Sequence, residues 1–193
     1  MPTQYSWPFG TKRRAGLFAG LLAWMAAVAP AGHAAYSSLY LFGDSLSAVA
    51  GGGTQYAPPP GTSVDNYFQG RFSNGRVWIE YLAEQQGIPF DPAHDFSNFG
   101  DAASEVYQNI IYGNYFPPPD IASSLYVFWS GCSDCFFLAL FYNTNSWTEG
   151  ISNVMVSVSN VVDVLYSQGA RTILLPNSVD ISKVPFFSSG FTS

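Results

Sequence analysis

The sequence is poor in charge, and above all in basic residues. Only 10 % of its 193 residues are Asp, Glu, Lys or Arg, and 7 Lys and Arg stand against 13 Asp and Glu, which gives a formal net charge of −6. Nucleic acids and anionic membrane surfaces attract proteins through clustered Lys and Arg. We therefore expect no nucleic-acid partner and no binding to an anionic membrane surface.

Cysteine and histidine are scarce as well. Cys132 and Cys135 stand in a C-x-x-C spacing, and the two histidines, His33 and His94, lie far from them in the sequence. Two thiols supply only half of the ligands of a structural zinc site, so no metal and no cofactor is implied. A disulfide, two free buried thiols and a redox-active pair remain open as alternatives for the two cysteines.

A long apolar run occurs near the N-terminus, at residues 15–28, directly after three basic residues. Gly32 and Ala34 then supply the small side chains that a signal peptidase reads. The run is shorter than the ~20 residues that cross a bilayer. This favours the interpretation that residues 1–34 are a cleaved signal peptide and not a membrane anchor. We expect a secreted or periplasmic protein, cleaved near Ala34, with one domain portion over residues 35–193 and no integral membrane span after cleavage.

Apolar residues are abundant, at 48 % of the chain, and they form short runs that alternate with helical patterns. The predicted strands are 38–42, 96–99, 125–130 and 172–175, and the predicted helices are 77–86, capped by Asn74, 102–111 and 151–165. Continuously apolar strands that alternate with helices indicate a three-layer α/β/α sandwich around a parallel sheet. Ligands bind such sheets at the carboxyl ends of the strands, so the residues that follow each strand are the site candidates.

The first predicted strand is followed by Gly43, Asp44 and Ser45. A serine at this position lies at the edge where ligands bind. Gly43 permits a tight turn, and the backbone N–H groups beyond it can face a developing oxyanion. Asp and Ser are also common at helix starts, so spacing alone leaves a capping role open.

The stretch FGDSLS at 42–47 resembles the block that names the GDSL family of serine hydrolases, also called the SGNH family. GRFSNGRVW at 70–78 is similar to a family stretch that leads into a helix, and NFGDAAS at 98–104 is similar to the second block. WSGCSD at 129–134 resembles the third block, and residues 169–185 resemble the stretch that follows the family's next long helix. The matches occur in the family's order and cover most of the chain after the predicted signal.

This resemblance implies an ester hydrolase of the lipase or esterase type, which acts on a small-molecule ester or a lipid through an acyl-enzyme and without a cofactor. Ser45 would be the nucleophile, and Asp44 would support it by orienting the loop. The backbone N–H of Ser45 and that of Gly100 or Ala102 would bind the oxyanion. Ser133 stands where the family usually has an asparagine, the third oxyanion-hole donor.

The general base is the missing part of the pattern. The family takes it from a D-x-x-H near the C-terminus, and we expect the sequence, which ends at Ser193, to be incomplete there, to lack the base and to be inactive as it stands. The alternative is a catalytically inactive binding or surface module of the same fold. Residues 91–94 spell D-x-x-H, but they precede the predicted strand at 96–99, which spans ~13 Å. We therefore expect His94 to lie at the edge opposite Ser45, as an ordinary loop histidine.

A second serine is also a candidate nucleophile. GCSDC at 131–135 nearly spells G-x-S-x-G, the nucleophile elbow of α/β-hydrolases, with Ser133 at its centre. Cys135 replaces the last glycine and would crowd the turn. This interpretation also leaves FGDSLS and GRFSNGR unexplained, so Ser45 is preferred.

Overall fold

The computed structural model describes residues 35–49, 67–113 and 115–188. The predicted signal peptide, residues 1–34, lies outside the described residues. The strands are β1, Leu39–Gly43, β2, Leu125–Trp129, and β3, Thr172–Leu174. The helices are α1, Trp78–Gln86, α2, Ala103–Tyr112, α3, Cys132–Phe141, α4, Trp147–Gln168, and α5, Pro185–Ser188. No helix in this part of the chain is long and apolar enough to cross a membrane.

The three strands form one parallel sheet in the order β1-β2-β3. Gly43 of β1 pairs with Trp129 of β2, so both strands end at the same level of the sheet. Their carboxyl ends therefore bring together the residues that follow them, as the alternating sequence pattern predicted.

The prediction of a full strand at 96–99 is wrong. The chain forms a single parallel bridge between Asp95 and Leu41, and the Phe96 N–H donates to the Leu41 carbonyl at 2.8 Å. The Asp95 carboxylate accepts the N–H of Ser97 at 2.9 Å, so the segment makes a short side-chain turn in place of a regular ladder. It still flanks β1, because the Asn98 N–H donates to the Gly43 carbonyl at 3.1 Å.

Helices cover both faces of the sheet, which confirms the three-layer α/β/α sandwich. One core cluster joins alternate strand residues to α2 and α4: Tyr40, Phe42, Tyr126 and Phe128 with Ala103, Val106, Ile110, Val161 and Leu165. The other joins the intervening strand residues to α1: Leu39, Leu41, Leu125 and Val127 with Ile79 and Ala83. Each large side chain fully buried in this way stabilises the fold by about 1.5–3 kcal/mol.

The start of α1 corrects the prediction that Asn74 caps this helix. Val77 is the residue before the helix, and its N–H donates to the Glu80 carboxylate at 2.9 Å. Glu80 reaches back from the first helical turn, whereas Asn74 lies too early in the chain to serve. The same carboxylate receives two hydrogen bonds from the buried Arg71, at 2.7 and 2.6 Å. A largely buried ion pair thus joins Arg71 of the GRFSNGRVW stretch to the first turn of α1.

Helix α3 was not predicted. It begins after Gly131, whose φ of 102° lies in the left-handed region. Its sequence, CSDCFFLALF, is apolar on all sides after its first turn and has no helical period, which is the signal on which the sequence prediction relied. Of its ten residues only Leu138 is buried.

Candidate active site

Three segments that are far apart in the sequence meet at the carboxyl edge of the sheet. β1 leads into Ser45, β2 leads into Ser133 at the start of α3, and the segment beside β1 leads into Gly100. Because these segments are neighbours in the sheet, the structure brings together the three blocks that the sequence singled out.

The turn after β1 holds Ser45 at its tip. The Ser47 N–H donates to the Asp44 carbonyl at 3.1 Å, and the Leu46 N–H donates to the Asp44 carboxylate, also at 3.1 Å. The indole N–H of Trp78 donates to the Ser47 hydroxyl at 3.1 Å, which fixes the far side of the turn. Ser45 itself is half-buried, in a turn that these hydrogen bonds hold on both sides.

Gly43 is required where β1 enters this turn. A Cβ at Gly43 would lie 2.5 Å from the backbone oxygen of Trp129 on β2. Any side chain there would force the two strands apart at the point where they deliver Ser45 and Ser133 to the site.

Asp44 connects the first block to the third. Its side chain is buried, and its Oδ2 accepts the N–H of Ser133 at 3.4 Å and the Ser133 hydroxyl at 3.5 Å. Burial raises the pKa of Asp44, and the hydrogen bonds from Leu46 and Ser133 act in the opposite direction. The carboxyl group therefore holds the turn of Ser45 against the N-terminus of α3.

The second block contains the two candidate N–H donors, those of Gly100 and Ala102. The Ala102 N–H donates to the Glu105 carboxylate at 2.8 Å. Gly100 lies in a turn with φ of 79°, a left-handed conformation that glycine adopts without strain. Asp101, next to it, accepts hydrogen bonds from the amides of Asn98 and Asn109, at 2.8 and 3.0 Å.

Asp134 has a role that the sequence analysis missed. Its carboxylate accepts the N–H of Ala103 at 2.9 Å and so caps the start of α2 from a residue 31 positions later. No local signal could reveal this contact, since it depends on how α3 packs beside α2. It joins the third block to the second, as Asp44 joins the third to the first.

His94 does not reach this site. Its ring stacks on Tyr40, with 4.2 Å between the centroids and 21° between the planes. Tyr40 lies three residues before the end of β1, which is ~10 Å along the strand, and the turn of Ser45 begins beyond that end. The structure therefore places His94 near the opposite edge of the sheet from Ser45, and no other histidine lies in the described residues.

The two cysteines are free thiols at the start of α3, which agrees with the free-thiol alternative. Burial, followed by the nearby charge of Asp44, raises the pKa of Cys132 to about 11. A thiol with such a pKa is protonated at neutral pH, which argues against a redox-active pair.

A cavity of about 440 Å³ opens beside the site, between the starts of α2, α3 and α4. Ala102 and Asp134 line it together with Ser104, Phe137, Leu138, Tyr142, Ser146, Glu149, Gly150 and Asn153. Its volume is in the range of small-molecule sites, and its lining mixes apolar, polar and acidic groups.

Comparison with known proteins adds two findings. A family model described as GDSL-like lipase/acylhydrolase matches residues 39–189. The chain is also 30 % identical over 170 residues to a phosphatidylcholine-sterol acyltransferase of Aeromonas hydrophila, an alignment that covers 78 % of this chain and 47 % of that protein. The chain thus spans about half the length of this curated relative.

Proposed function

This chain belongs to the GDSL-like lipase/acylhydrolase family, and we propose that it is an exported ester hydrolase of the lipase or esterase type, with Ser45 as its nucleophile. Lipase- or esterase-type activity, by hydrolysis or acyl transfer, follows from the family and from the relative. The proposal of Ser45 rests mainly on one observation. Ser45 occupies the tip of an immobilised turn at the carboxyl end of β1, between the two other family blocks.

The proposed reaction has two steps. The Ser45 hydroxyl loses its proton to a general base, its oxygen forms a bond to the ester carbonyl carbon, and the alcohol leaves with a proton. Water then attacks the acyl-enzyme and releases the carboxylic acid. An alcohol in place of water would give the acyl transfer for which the relative is named.

The oxyanion would be held by the N–H groups of Ser45 and Gly100. We favour Gly100 over Ala102, because the Ala102 N–H already donates to Glu105. Ser133 would be a weak third donor, since its hydroxyl is shorter than an asparagine amide and already donates to Asp44. Loss of one such donor costs ~10² to 10³ in kcat.

Asp44 would support the site without acting as its base. Its carboxylate oxygens are occupied by Leu46 and Ser133, and its side chain is only 2 % exposed. It holds the turn of Ser45 at a fixed position relative to α3, and this positions the nucleophile relative to the donors.

A second candidate function is a binding or surface module without catalysis. The placement of His94 favours it, because within the described residues no histidine reaches Ser45. The two functions differ in one property: a module needs the fold and the cavity, whereas an enzyme needs a general base beside Ser45.

Hydrolysis of p-nitrophenyl butyrate tests the proposal. The chain should be assayed alone and fused to a C-terminal segment that carries the family's D-x-x-H. We expect turnover from the fusion, no turnover after Ser45→Ala, and reduced but measurable turnover after Ser133→Ala. Full turnover in Ser45→Ala would contradict the assignment of the nucleophile, and an inactive fusion would favour the binding module.

Export is part of the same proposal. The basic residues, the apolar run and the small residues up to Ala34 support a mature protein that begins near Ala35. N-terminal sequencing of the exported protein tests this, and an intact Met1 would contradict it.

A further inference from the structure

Exposed aromatic side chains occur on both sides of Ser45. On one side Phe99 is 51 % exposed and contacts Phe72, which is 39 % exposed, with 4.9 Å between the ring centroids. On the other side, α3 and the residue after it expose Phe137, Phe141 and Tyr142 by 41, 71 and 59 %. We call these five residues the aromatic rim.

The sheet topology puts the aromatic rim at the end where Ser45 lies. Phe99 follows the segment that flanks β1, and α3 follows β2 on the other side of β1. Both segments also carry candidate site residues, Gly100 and Ser133. Two separate parts of the chain therefore surround one proposed nucleophile with apolar surface.

Helix α3 is unlike a helix that faces water. From Cys135 to Phe141 its sequence is CFFLALF, without a charged or amide side chain, yet only Leu138 is buried. Phe136 packs on Phe186 and Phe187, whereas Phe137 and Phe141 are exposed. Apolar patches of this kind at the surface of a protein mark contact sites for apolar partners. Phe and Tyr in particular suit the boundary between water and lipid, where aromatic rings insert among head groups.

The charges around the aromatic rim restrict its partner. The segments 95–104 and 129–142 contain no Lys or Arg, and they carry Asp95, Asp101 and Asp134. Two arginines occur near Phe72, and both form ion pairs: Arg71 with Glu80 and Arg76 with Glu84. Anionic lipids are bound through basic residues, so this surface would not attract them. Phe137 and Tyr142 line the cavity beside the site together with Ala102, so a lipid surface on the aromatic rim would present esters at this cavity.

We propose that the aromatic rim docks this chain on the surface of zwitterionic or neutral lipid aggregates. The presentation of esters to Ser45 rests on the proposed function, but the docking does not. The relevant partner is therefore a lipid–water interface of low charge, and Phe141 is the most exposed member of the aromatic rim.

Vesicle co-sedimentation tests the docking without requiring catalysis. The proposed mature protein, which begins near Ala35 and so lacks the apolar run at 15–28, should bind phosphatidylcholine vesicles when it carries Ser45→Ala. The double variant Phe137→Ser/Phe141→Ser in that background should lower the partition constant at least about tenfold, since full burial of one Phe is worth roughly ten- to a hundredfold. Because Ser45 is already replaced, failure of the proposed acyl-enzyme would leave this result unchanged.

A matched control lies at the far end of the fold. Tyr112 and Tyr166 are 81 and 62 % exposed. Helix α2 packs along the sheet and ends at Tyr112, and α4 reaches Tyr166 in its last turn, just before β3 begins at the opposite edge. The double variant Tyr112→Ser/Tyr166→Ser should bind vesicles within about twofold of its parent. An equal loss in both doubles would overturn the proposal.

Three further results would also overturn it. The first is an absence of vesicle binding by the parent chain, and the second is tighter binding to vesicles that contain phosphatidylglycerol. The third is that the parent chain binds no vesicles but forms a dimer in sedimentation velocity, and that Phe137→Ser/Phe141→Ser abolishes this dimer. Circular dichroism shows whether the double variant folds. If it does not, the single variant Phe141→Ser, at the most exposed position of the aromatic rim, takes its place and must itself weaken vesicle binding.

Discussion

Replacing Asp95 by asparagine is expected to remove a loss in the free energy of unfolding that occurs as the pH rises. Asp95 is 2 % exposed, and its carboxylate accepts the N–H of Val49 at 2.6 Å and that of Ser97 at 2.9 Å. It thereby ties the end of the turn that contains Ser45 to the segment beside β1. Burial raises the pKa of Asp95 from 3.8 to about 6, against the opposing effect of these hydrogen bonds.

The sign of the effect follows from the raised pKa. Between about pH 4 and 6 the folded chain keeps the Asp95 proton while the unfolded chain has lost it. The free energy of unfolding is therefore highest below pH ~4 and falls as the pH rises to about 6. A difference of about two pKa units corresponds to a loss of about 3 kcal/mol.

Urea unfolding at pH 4, 5, 6 and 7, followed by tryptophan fluorescence, measures this loss in the wild type and in Asp95→Asn. The asparagine is neutral throughout. The free energy of unfolding of Asp95→Asn minus that of the wild type should therefore rise by about 3 kcal/mol from pH 4 to 6 and then stay constant. Other buried carboxyls, such as Asp44 and Asp101, titrate in both proteins and cancel in the difference. A difference that stays constant across the range would refute the reasoning.

Three further predictions concern the site. Gly43→Ala should lower the free energy of unfolding by about 1–3 kcal/mol, because the new Cβ would meet the Trp129 oxygen. Gly75→Ala is the control and should not lower it, because no atom lies within 4 Å of a Cβ at that position. A similar loss in both variants would contradict this prediction. In the fusion that carries a D-x-x-H, His94→Ala should leave ester turnover unchanged, and a loss of turnover would make His94 the base. In the same fusion, Ser133→Asn should raise kcat by up to ~10² to 10³, and an unchanged kcat would show that the third block is misplaced.

The parts of the fold that could be predicted are those with a strong local signal. Continuous apolar runs that stop at Gly43 and Gly131 indicated buried parallel strands, and parallel strands necessarily deliver their next residues to one edge. The neighbourhood of Ser45 and Ser133, and the distance of His94 from both, followed from that rule. The α4 helix was predicted from the period of its apolar residues, although its observed span of Trp147–Gln168 is longer.

The parts that could not be predicted lack a local signal, depend on which of two residues caps a helix, or depend on contacts between segments far apart in the sequence. Helix α3 has no apolar period, so its sequence does not distinguish a helix from a loop that follows a strand. Asn74 is a good capping residue by type, but Glu80 reaches the helix start from inside. The capping of Ala103 by Asp134 requires that α2 and α3 already lie side by side.

The identity of the serine that reacts is the most direct test of the account. The chain, alone and fused to a segment with the family's D-x-x-H, should be incubated with a fluorophosphonate, digested and mapped by mass spectrometry. The account predicts an adduct on the peptide that contains Ser45, formed faster in the fusion and absent after Ser45→Ala. An adduct on Ser133, with Ser45 unmodified, would contradict it.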